Sequence, residues 1–274
     1  MCFTILIILV VVSTPISANI LCDKHNQSPQ IPKYHLMEKC HRSKLGIAAK
    51  ANFASLSSCQ RLGIAKKALA LNFSPPDAAI EGAEPLEYTC EVLKCAEVDG
   101  GLSLVNDSRY DYYSIYAKPI PHVNATCVPA SGMFRLLQKR LNFTQAVVEC
   151  RNMSGVLPDV TSEQRTDALA QVLAGADVDA AFVGLRRNNR SSFHGINGGH
   201  LDCTSYRAWA PGHPRRYADK FDCVVITKHR MWQSVSCKNK QPVLCELLPN
   251  GPYKRGSIFT STKVEQNNYT NNDV

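Results

Sequence analysis

The sequence predicts an α+β protein built from two small, disulfide-bonded domains. Three observations favour this fold class. Segments with helical periodicity are short and alternate with strand-like apolar segments. The chain of 274 residues contains 12 cysteines, a number typical of exported proteins that are held together by disulfide bonds. Its length suits two modest domains, each with a packed core.

The N-terminal segment has the pattern of a signal peptide. An apolar run from Thr4 to Val12 is too short to cross a bilayer, which requires about 20 apolar residues. Small and turn-forming residues follow up to Ala18. A buried apolar strand is the alternative interpretation. We therefore expect residues 1–18 to be removed and the mature protein to be secreted into the extracellular space, without a transmembrane segment.

Eight Asn-x-Ser/Thr triplets agree with export, because they are acceptors for N-glycosylation. Asn72 is the poorest of them, since Pro75 follows its Ser74. Two others have a possible structural role, because one is placed to cap a helix and one to close it. Seven asparagines are predicted to be glycosylated: Asn26, Asn106, Asn124, Asn142, Asn152, Asn189 and Asn268.

Positive charge is concentrated in one part of the chain. Residues 181–245 carry eleven Lys and Arg against three Asp, while the whole chain has a formal net charge of +8, so the remainder is balanced. A basic field of this kind favours an acidic protein face, a sulfated or sialylated glycan, or a phosphate-rich surface as partner. A solvated basic face without a ligand is the alternative. Export argues against nucleic acid.

Residues 142–173 predict two helices. Apolar residues at helical spacing define the first one over residues 143–150. Ser162 is placed to cap the second helix, with Glu163 in its first turn. A short apolar strand follows at residues 182–185, and the rest of this half is loop-rich and mostly β. Three aromatic side chains are predicted to lie in the core: Phe182, Trp209 and Trp232.

The order of these features resembles the C-type lectin-like fold over roughly residues 127–248. That family has a first helix ending in Cys, a "WIGL" strand, a Trp before a Pro-containing loop, a Cys-Val strand, and a late Trp, Cys and Cys-Glu. The resemblance implies two helices, loop-rich antiparallel sheets, and the disulfide bonds Cys150–Cys245 and Cys223–Cys237. The matching residues are Cys150, Phe182-Val183-Gly184-Leu185, Trp209 to Pro214, Cys223, Trp232, Cys237, Cys245 and Glu246.

The resemblance also locates the family's calcium-dependent sugar site, and this chain departs from it. Calcium takes six to eight oxygen ligands. The acid-Pro-Asn triplet of the family corresponds to residues 213–215, which are His-Pro-Arg. Phe221 replaces the acid near the Cys-Val strand, Gln233 and Ser234 replace the Asn-Asp pair, and only Asp222 keeps a nearby carboxylate. We expect no metal, no cofactor, and a trans or mixed His213–Pro214 peptide.

The expected binding surface is the basic loop end of this domain. In the family, the segment after the "WIGL" strand lies near the long loop, and we expect the hairpin at residues 228–230 to be their neighbour. We predict calcium-independent binding of an extracellular protein or acidic glycan. A carbohydrate-binding lectin with a non-standard site and a matrix or adhesion component are the alternatives. The candidate ligand-binding residues are Arg186, Arg187, Arg190, His213, Arg215, Arg216 and Lys220.

Residues 22–127 resemble a PAN/apple domain, a module that mediates protein or glycan contacts. Gly63 departs from the family, which has a second helix Cys at this place. In the strand around residues 88–95, we expect polar side chains to face outward. An unrelated disulfide-rich α+β domain is the alternative. Four segments carry the resemblance: a helix start at 57–59 and strands at 70–73, 90–93 and 111–113.

The predicted organisation is a signal peptide (1–18), a PAN/apple-like domain (22–127), a lectin-like domain (128–248) and a disordered Asn-rich tail (249–274). The pairing of the six cysteines in the first domain stays open, since fifteen pairings are possible. Cys203 is left over, and can pair within the long loop, link a second chain in a dimer, or remain free.

Catalytic patterns are not found in the sequence. It has no Gly-x-Ser-x-Gly, no His-Glu-x-x-His and no Gly-rich phosphate loop, so we do not expect an enzyme. Four histidines of the second half match no zinc spacing, and we expect them to be solvated loop residues. They are His194, His200, His213 and His229.

Overall fold

The computed structural model describes residues 31–78, 86–187, 192–196, 198–215 and 220–249. The predicted signal peptide and almost all of the predicted tail lie outside these residues. So do Arg190, Arg216 and the sequons that begin at Asn26, Asn189 and Asn268. No helix within the described ranges combines the length and apolar character needed to cross a membrane.

The N-terminal part of the described chain is a five-stranded antiparallel sheet with the order β1-β7-β4-β5-β3. A two-stranded ribbon, β2-β6, lies against this sheet. The strands are β1 (His35–Glu38), β2 (His41–Ser43), β3 (Ile47–Ala51), β4 (Ala70–Phe73), β5 (Cys90–Leu93), β6 (Leu104–Asn106) and β7 (Asp111–Ser114).

One helix, α1 (Leu56–Ala65), packs on this sheet. Ser55 caps the helix, because its side chain accepts a hydrogen bond from the Ser58 amide. The Cys59–Cys90 disulfide bond then fastens the helix to β5. The predicted helix start and three predicted strands are therefore present, although their ends differ by a few residues.

Gly63 has a steric reason for being glycine. A Cβ at this position would overlap the hydroxyl of Tyr34. That hydroxyl donates a buried hydrogen bond of 2.8 Å to the Ala68 carbonyl. A second helix cysteine has no room here, which explains the departure from the PAN/apple pattern. The PAN/apple resemblance itself stays a prediction.

The opposite face of the sheet carries a buried polar network that holds the ribbon in place. The Asn72 side chain pairs with both backbone groups of Ser43 on β2, at 2.9 Å each. Glu91, whose side chain is 1% exposed, accepts from Arg42 Nε at 2.8 Å and from Asn72 at 3.0 Å. The prediction that polar residues of this strand face outward is therefore wrong for Glu91. Charge pairing offsets the cost of its burial.

The second part of the chain contains two four-stranded antiparallel sheets and two helices. The sheet orders are β10-β15-β9-β8 and β12-β11-β13-β14. The strands are β8 (Ala125–Val128), β9 (Gly132–Leu141), β10 (Gly155–Val156), β11 (Ala180–Arg187), β12 (Phe193–Gly195), β13 (Cys223–Thr227), β14 (Trp232–Val235) and β15 (Gln241–Leu247). The helices are α2 (Phe143–Asn152) and α3 (Glu163–Gly175).

Local signals explain both helices. Asn142 and Gln145 form a capping box at the start of α2, and Ser162 caps α3 as predicted. The apolar sides of the helices are buried, with Cys150 of α2 and Leu169 of α3 fully inaccessible. Phe182 and Trp232 are also fully buried, and Trp209 is half-buried with its ring centroid 5.5 Å from that of Trp232.

Four disulfide bonds join described cysteines. Two of them are the pairs that the lectin-like resemblance implies, Cys150–Cys245 and Cys223–Cys237. The others are Cys59–Cys90 and Cys95–Cys127. Cys203 is also disulfide-bonded, so the predictions of a free thiol and of a covalent dimer through this residue do not fit the structure. Among the described residues, the free cysteine is Cys40, which is exposed.

The two parts of the chain share a core instead of being joined by an open linker. Strand β8 pairs with β9, so the second sheet begins at Ala125 rather than at the predicted boundary of 128. The Met133 amide donates to the hydroxyl of Tyr116 at 2.9 Å. Met133 and Leu247 from the second sheet belong to the same buried apolar cluster as the first sheet.

The first prediction concerns the polar network. Hydrogen bonds from Arg42 and Asn72 outweigh the effect of burial and hold the pKa of Glu91 below its ordinary value. Glu91→Gln should therefore lower the free energy of unfolding by about 1.5–3 kcal/mol at pH 7, the range for hydrogen bonds to charged groups. Because the pKa is lowered in the folded state, this stabilisation is present above pH 4–5 and lost as pH falls through the folded pKa.

Urea unfolding followed by circular dichroism measures this free energy. Glu87→Gln is the matched control, since Glu87 is exposed, and it should change stability by less than about 0.5 kcal/mol. Equal stabilities of the two variants would contradict the assignment of the network as a stabilising element.

Candidate binding site

The two neighbouring arginines at the end of β11 point to opposite faces of their sheet, as successive strand residues do. Arg187 donates through Nε to the Asp222 carboxylate at 3.1 Å, and its guanidinium lies 5.0 Å from the Phe193 ring centroid. Its side chain is only 11% exposed. The structure thus places Arg187 inside the domain, where it fastens the segment before β13 to β11. It does not place Arg187 among the exposed cations.

Arg186 lies on the other face and is exposed. It is the cross-strand partner of Cys223, and its guanidinium lies 5.9 Å from the ring centroid of Phe143. No carboxylate of the described residues lies within ion-pair distance of Arg186. Its charge is therefore available to a ligand.

The long loop returns to the sheet at residues 213–215, where family members place calcium ligands. The His213–Pro214 peptide is cis, so the expectation of a trans or mixed peptide is wrong. A cis peptide bond is tolerated before proline, because the tertiary amide of this bond reduces the trans preference.

Hydrogen bonds connect this loop to Ser234 of β14. The Ser234 amide donates to His213 Nδ1 at 2.9 Å, and Ser234 Oγ lies 3.1 Å from the same nitrogen. The Arg215 amide donates to Ser234 Oγ at 2.8 Å. Residues 213–215 and Ser234, which replace family ligands from separate segments, therefore do meet in the structure. We name them the loop clasp.

Two further cations lie at the surface, Arg215 of the loop clasp and Lys220 before β13. Arg215 is exposed, and its guanidinium lies 4.6 Å from the centroid of the Phe221 ring. Lys220, next to Phe221, is exposed as well. Within the described ranges, neither cation has a carboxylate at ion-pair distance. Arg186, Arg215 and Lys220 are therefore the exposed, unneutralised members of the predicted set, and we name them the basic face.

Within the described residues, the carboxylate that was expected near the loop clasp already has a partner. Asp222, the residue expected to remain near the family's calcium position, is engaged by Arg187. No group of three or more His, Cys, Asp or Glu side chains among the described residues has an arrangement that could hold a metal ion.

The hairpin at residues 228–230 does not join the basic face. Strand β13 pairs Cys223 with Arg186 at one end and Thr227 with Ala180 at the other, so the hairpin lies at the opposite end of the sheet. There Lys228 Nζ is 2.9 Å from the Asp179 carboxylate, and Arg230 Nε is 3.6 Å from that of Asp167. The prediction of a neighbouring hairpin is wrong, because strand direction separates these segments.

Two predicted loop histidines contact each other. His194 and His200 form an antiparallel bridge, and their ring centroids are 4.0 Å apart. Both are half-buried, and His200 Nδ1 lies 3.2 Å from Ser192 Oγ. They belong to the packed base of the long loop and not to a solvated surface. His229 is exposed, as expected.

Sequence reasoning missed Ser234 as a contributor, since it recorded only the loss of a calcium ligand at this place. The sequence signal for this contact is that His213 and Ser234 both replace family calcium ligands. Imidazole at 213 and a hydroxyl at 234 are capable of hydrogen bonding to each other without a metal. The aromatic contact of Phe143 was missed because this residue is remote in sequence from Arg186. Phe221 is close to Arg215 in sequence, but it was considered only as the replacement of a family acid.

The described sequons differ in exposure. Asn106, Asn124 and Asn152 are exposed, whereas Asn142 is half-buried and caps α2. Asn72 is 0% exposed and is hydrogen-bonded in the polar network. Asn106, Asn124 and Asn152 are therefore accessible for glycosylation, whereas Asn72 has a structural role.

The second prediction concerns these acceptors. Protein secreted from a eukaryotic host should carry glycans on Asn106, Asn124 and Asn152, and none on Asn72, because the Asn72 amide is needed for the ribbon. Enzymatic release in ¹⁸O-water followed by peptide mass spectrometry marks each occupied site as Asp. Labelled Asp at position 72 in folded protein would contradict the structural role of Asn72.

The third prediction concerns pH. Burial, and then the charge of Arg215, lower the pKa of His213. The unfolded chain, with an ordinary pKa of about 6.5, therefore takes up the proton first. The contribution of His213 to stability is complete above about pH 6.5 and is lost as pH falls towards the folded pKa, by at most about 1.4 kcal/mol per pH unit.

Thermal unfolding of the wild type and of His213→Gln at pH 7.5 and 5.5 tests this. The stability advantage of the wild type should shrink at the lower pH. His229→Gln, which changes an exposed histidine, should follow the wild type at both. A constant advantage over His213→Gln would show that the loop clasp does not depend on neutral imidazole.

Part of the chain matches a known protein family. Residues 139–247 match the family described as Lectin C-type domain. The human low affinity immunoglobulin epsilon Fc receptor is 29% identical over 92 residues, which cover 33% of this chain and 27% of the receptor. Phospholipase A2 inhibitor A4/A5 of Crotalus durissus terrificus is 30% identical over 105 residues, covering 38% of this chain and 52% of the inhibitor.

The chain thus spans about half or less of the length of these curated relatives. Human lithostathine is a solved structure similar to the second part of the chain, with 24% identity, a TM-score of 0.39, and coverage of 46% of this chain and 97% of that one. The family match, the two sheets, the two helices and the disulfide bonds agree with each other. Residues 139–247 therefore match the C-type lectin domain family and have a C-type lectin-like fold.

Proposed function

We propose that this chain is a secreted recognition protein whose lectin domain binds an acidic extracellular partner through the basic face, without calcium. The observation that supports this most is the unneutralised charge of Arg186, Arg215 and Lys220. Other basic residues of the same domain form ion pairs within it: Arg187 pairs with Asp222, and Lys228 pairs with Asp179. The three cations of the basic face have no such carboxylate partner among the described residues, so their charge is available to a ligand.

The chemistry of the basic face favours anions with several oxygens. A guanidinium offers parallel N–H donors that match carboxylate and sulfate oxygens, and these charge-assisted bonds are stronger than neutral ones. The aromatic rings beside Arg186 and Arg215 limit the freedom of both side chains. Less side-chain entropy is then lost on binding. A sulfated glycan or an acidic protein face presents such oxygens.

The hydrogen bonds of the loop clasp support the proposal that binding does not require calcium. Hydrogen bonds from Ser234 and the Arg215 amide fix the loop position. Calcium binding would require oxygen ligands that His213 and Arg215 do not supply. The exposed guanidinium of Arg215 would also repel a divalent cation.

The names of the relatives support binding over catalysis. One relative is named as a receptor for immunoglobulin epsilon and another as a phospholipase A2 inhibitor, so both names refer to protein ligands. An acidic protein face is therefore as compatible with the basic face as a sulfated glycan is. The N-terminal part, which shares a core with the lectin domain, is proposed to take part in recognition as a PAN/apple-like module.

The fourth prediction tests the basic face on immobilised heparin with a salt gradient. The triple variant Arg186→Gln, Arg215→Gln, Lys220→Gln should elute at lower salt than the wild type. Three exposed ion pairs at about 0.2–1 kcal/mol each correspond to roughly 3- to 150-fold weaker binding. Retention should be the same in EDTA and in calcium, and calorimetry should detect no calcium binding.

The matched control removes three charges from another surface, with Arg61→Gln, Lys66→Gln and Lys67→Gln on and just after α1. These side chains are exposed, so this variant should elute close to the wild type. If both triple variants shift equally, binding reflects total charge and not the basic face. Tight calcium binding would defeat the calcium-independent mechanism.

A further inference from the structure

A groove of about 330 Å³ lies outside the basic face, between strands β8 and β9 and the end of α3. No charged side chain is among the described residues that line it. Its ligand should therefore be neutral, which separates this groove from the proposed anion-binding surface.

A glycosylation triplet forms one wall of the groove. Asn124 and Thr126 both line it, and both are exposed. Asn124 lies in the turn just before β8, with a left-handed backbone φ of 59°, and Thr126 lies on β8 itself. Thr126 is the cross-strand partner of Phe134, whose buried side chain packs in the core that includes α3. The attachment point of a glycan on Asn124 therefore lies within the groove.

The other walls suit a saccharide. Gln138 and Gln171 are exposed and offer amide donors and acceptors that sugar hydroxyls can pair with. Leu136 and Val172 supply apolar surface for the C–H faces of a sugar ring. A few polar groups around an apolar floor is the usual composition of a small-ligand site.

We propose that this groove holds the inner sugars of the protein's own glycan, attached at Asn124. The proposal rests on the predicted export of the chain, but not on the ligand of the basic face. The covalent link makes docking intramolecular, so contacts too weak to hold a free sugar are sufficient here. The docked sugars would lie over β8, which is the edge strand of its sheet.

Site-resolved deglycosylation of the folded protein tests the proposal. Full-length protein secreted from mammalian cells treated with a mannosidase inhibitor carries uniform oligomannose glycans. An endoglycosidase that cuts within the glycan core is added to the native protein, and cleavage at each asparagine is followed by glycopeptide mass spectrometry. Cleavage at Asn124 should be about tenfold or more slower than at Asn106, corresponding to about 1.4 kcal/mol of protection. Asn106 is exposed and does not line the groove.

Gly175→Tyr shows whether the groove causes this protection. A Cβ at Gly175 meets no atom within 4 Å, so a side chain there can fill the groove without moving the backbone. Asn124 should remain glycosylated, and its cleavage rate should rise to that of Asn106. Ala174→Tyr, at the exposed neighbouring position that does not line the groove, should keep the protection.

If Gly175→Tyr is not secreted, Gln138→Ala with Gln171→Ala gives the same test by removing the amides. Equal cleavage rates at Asn124 and Asn106 in the wild type would overturn the proposal. So would an unmodified Asn124, or protection that persists after the groove is filled or its amides are removed. Loss of heparin binding in the basic-face variant has no bearing on these rates, so the two proposals can fail separately.

Discussion

The hydrogen bonds between His213 and Ser234 are the constraint on which the position of the long loop depends. They connect this loop to β14 at residues that the lectin resemblance matches to calcium-ligand positions. Because the Arg215 amide joins the same serine, the loop is held while the Arg215 side chain stays outside. A few neutral hydrogen bonds hold the long loop in this arrangement. Each of these contributes only about 1 kcal/mol, and one of them requires an unprotonated imidazole.

Local patterns were sufficient for the two helices and for β11 in the second half, but they did not predict β9. The stripe of α2, the caps at Asn142 and Ser162, and the apolar β11 each depend on neighbours in the sequence. Strands β1, β2 and β3 could not be predicted in this way, because they are short and half-exposed and gain stability only from distant partners. Glu91 shows the same limit, since its burial is tolerated only because Arg42, 49 residues away, reaches it.

The sequence predicted which basic residues the candidate site contains, but not which of them are exposed and which are paired. Sequence gives the number of charges, whereas ion pairs decide which of them remain available. Arg187 and Asp222 are separated by 35 residues, and Lys228 and Asp177 by 51, so only the strand register brings them together. The register also sends neighbouring Arg186 and Arg187 to opposite faces. Among the described residues, fewer cations of the predicted set are therefore exposed and unpaired than the charge count implies.

The shared core between the two parts has a consequence for modular dissection. A cut at residue 127 would divide β8 and remove the partner of Cys95. It would also expose the buried side chains of Met133 and Leu247 to water. We therefore expect that the lectin-like part does not fold independently of the region before it.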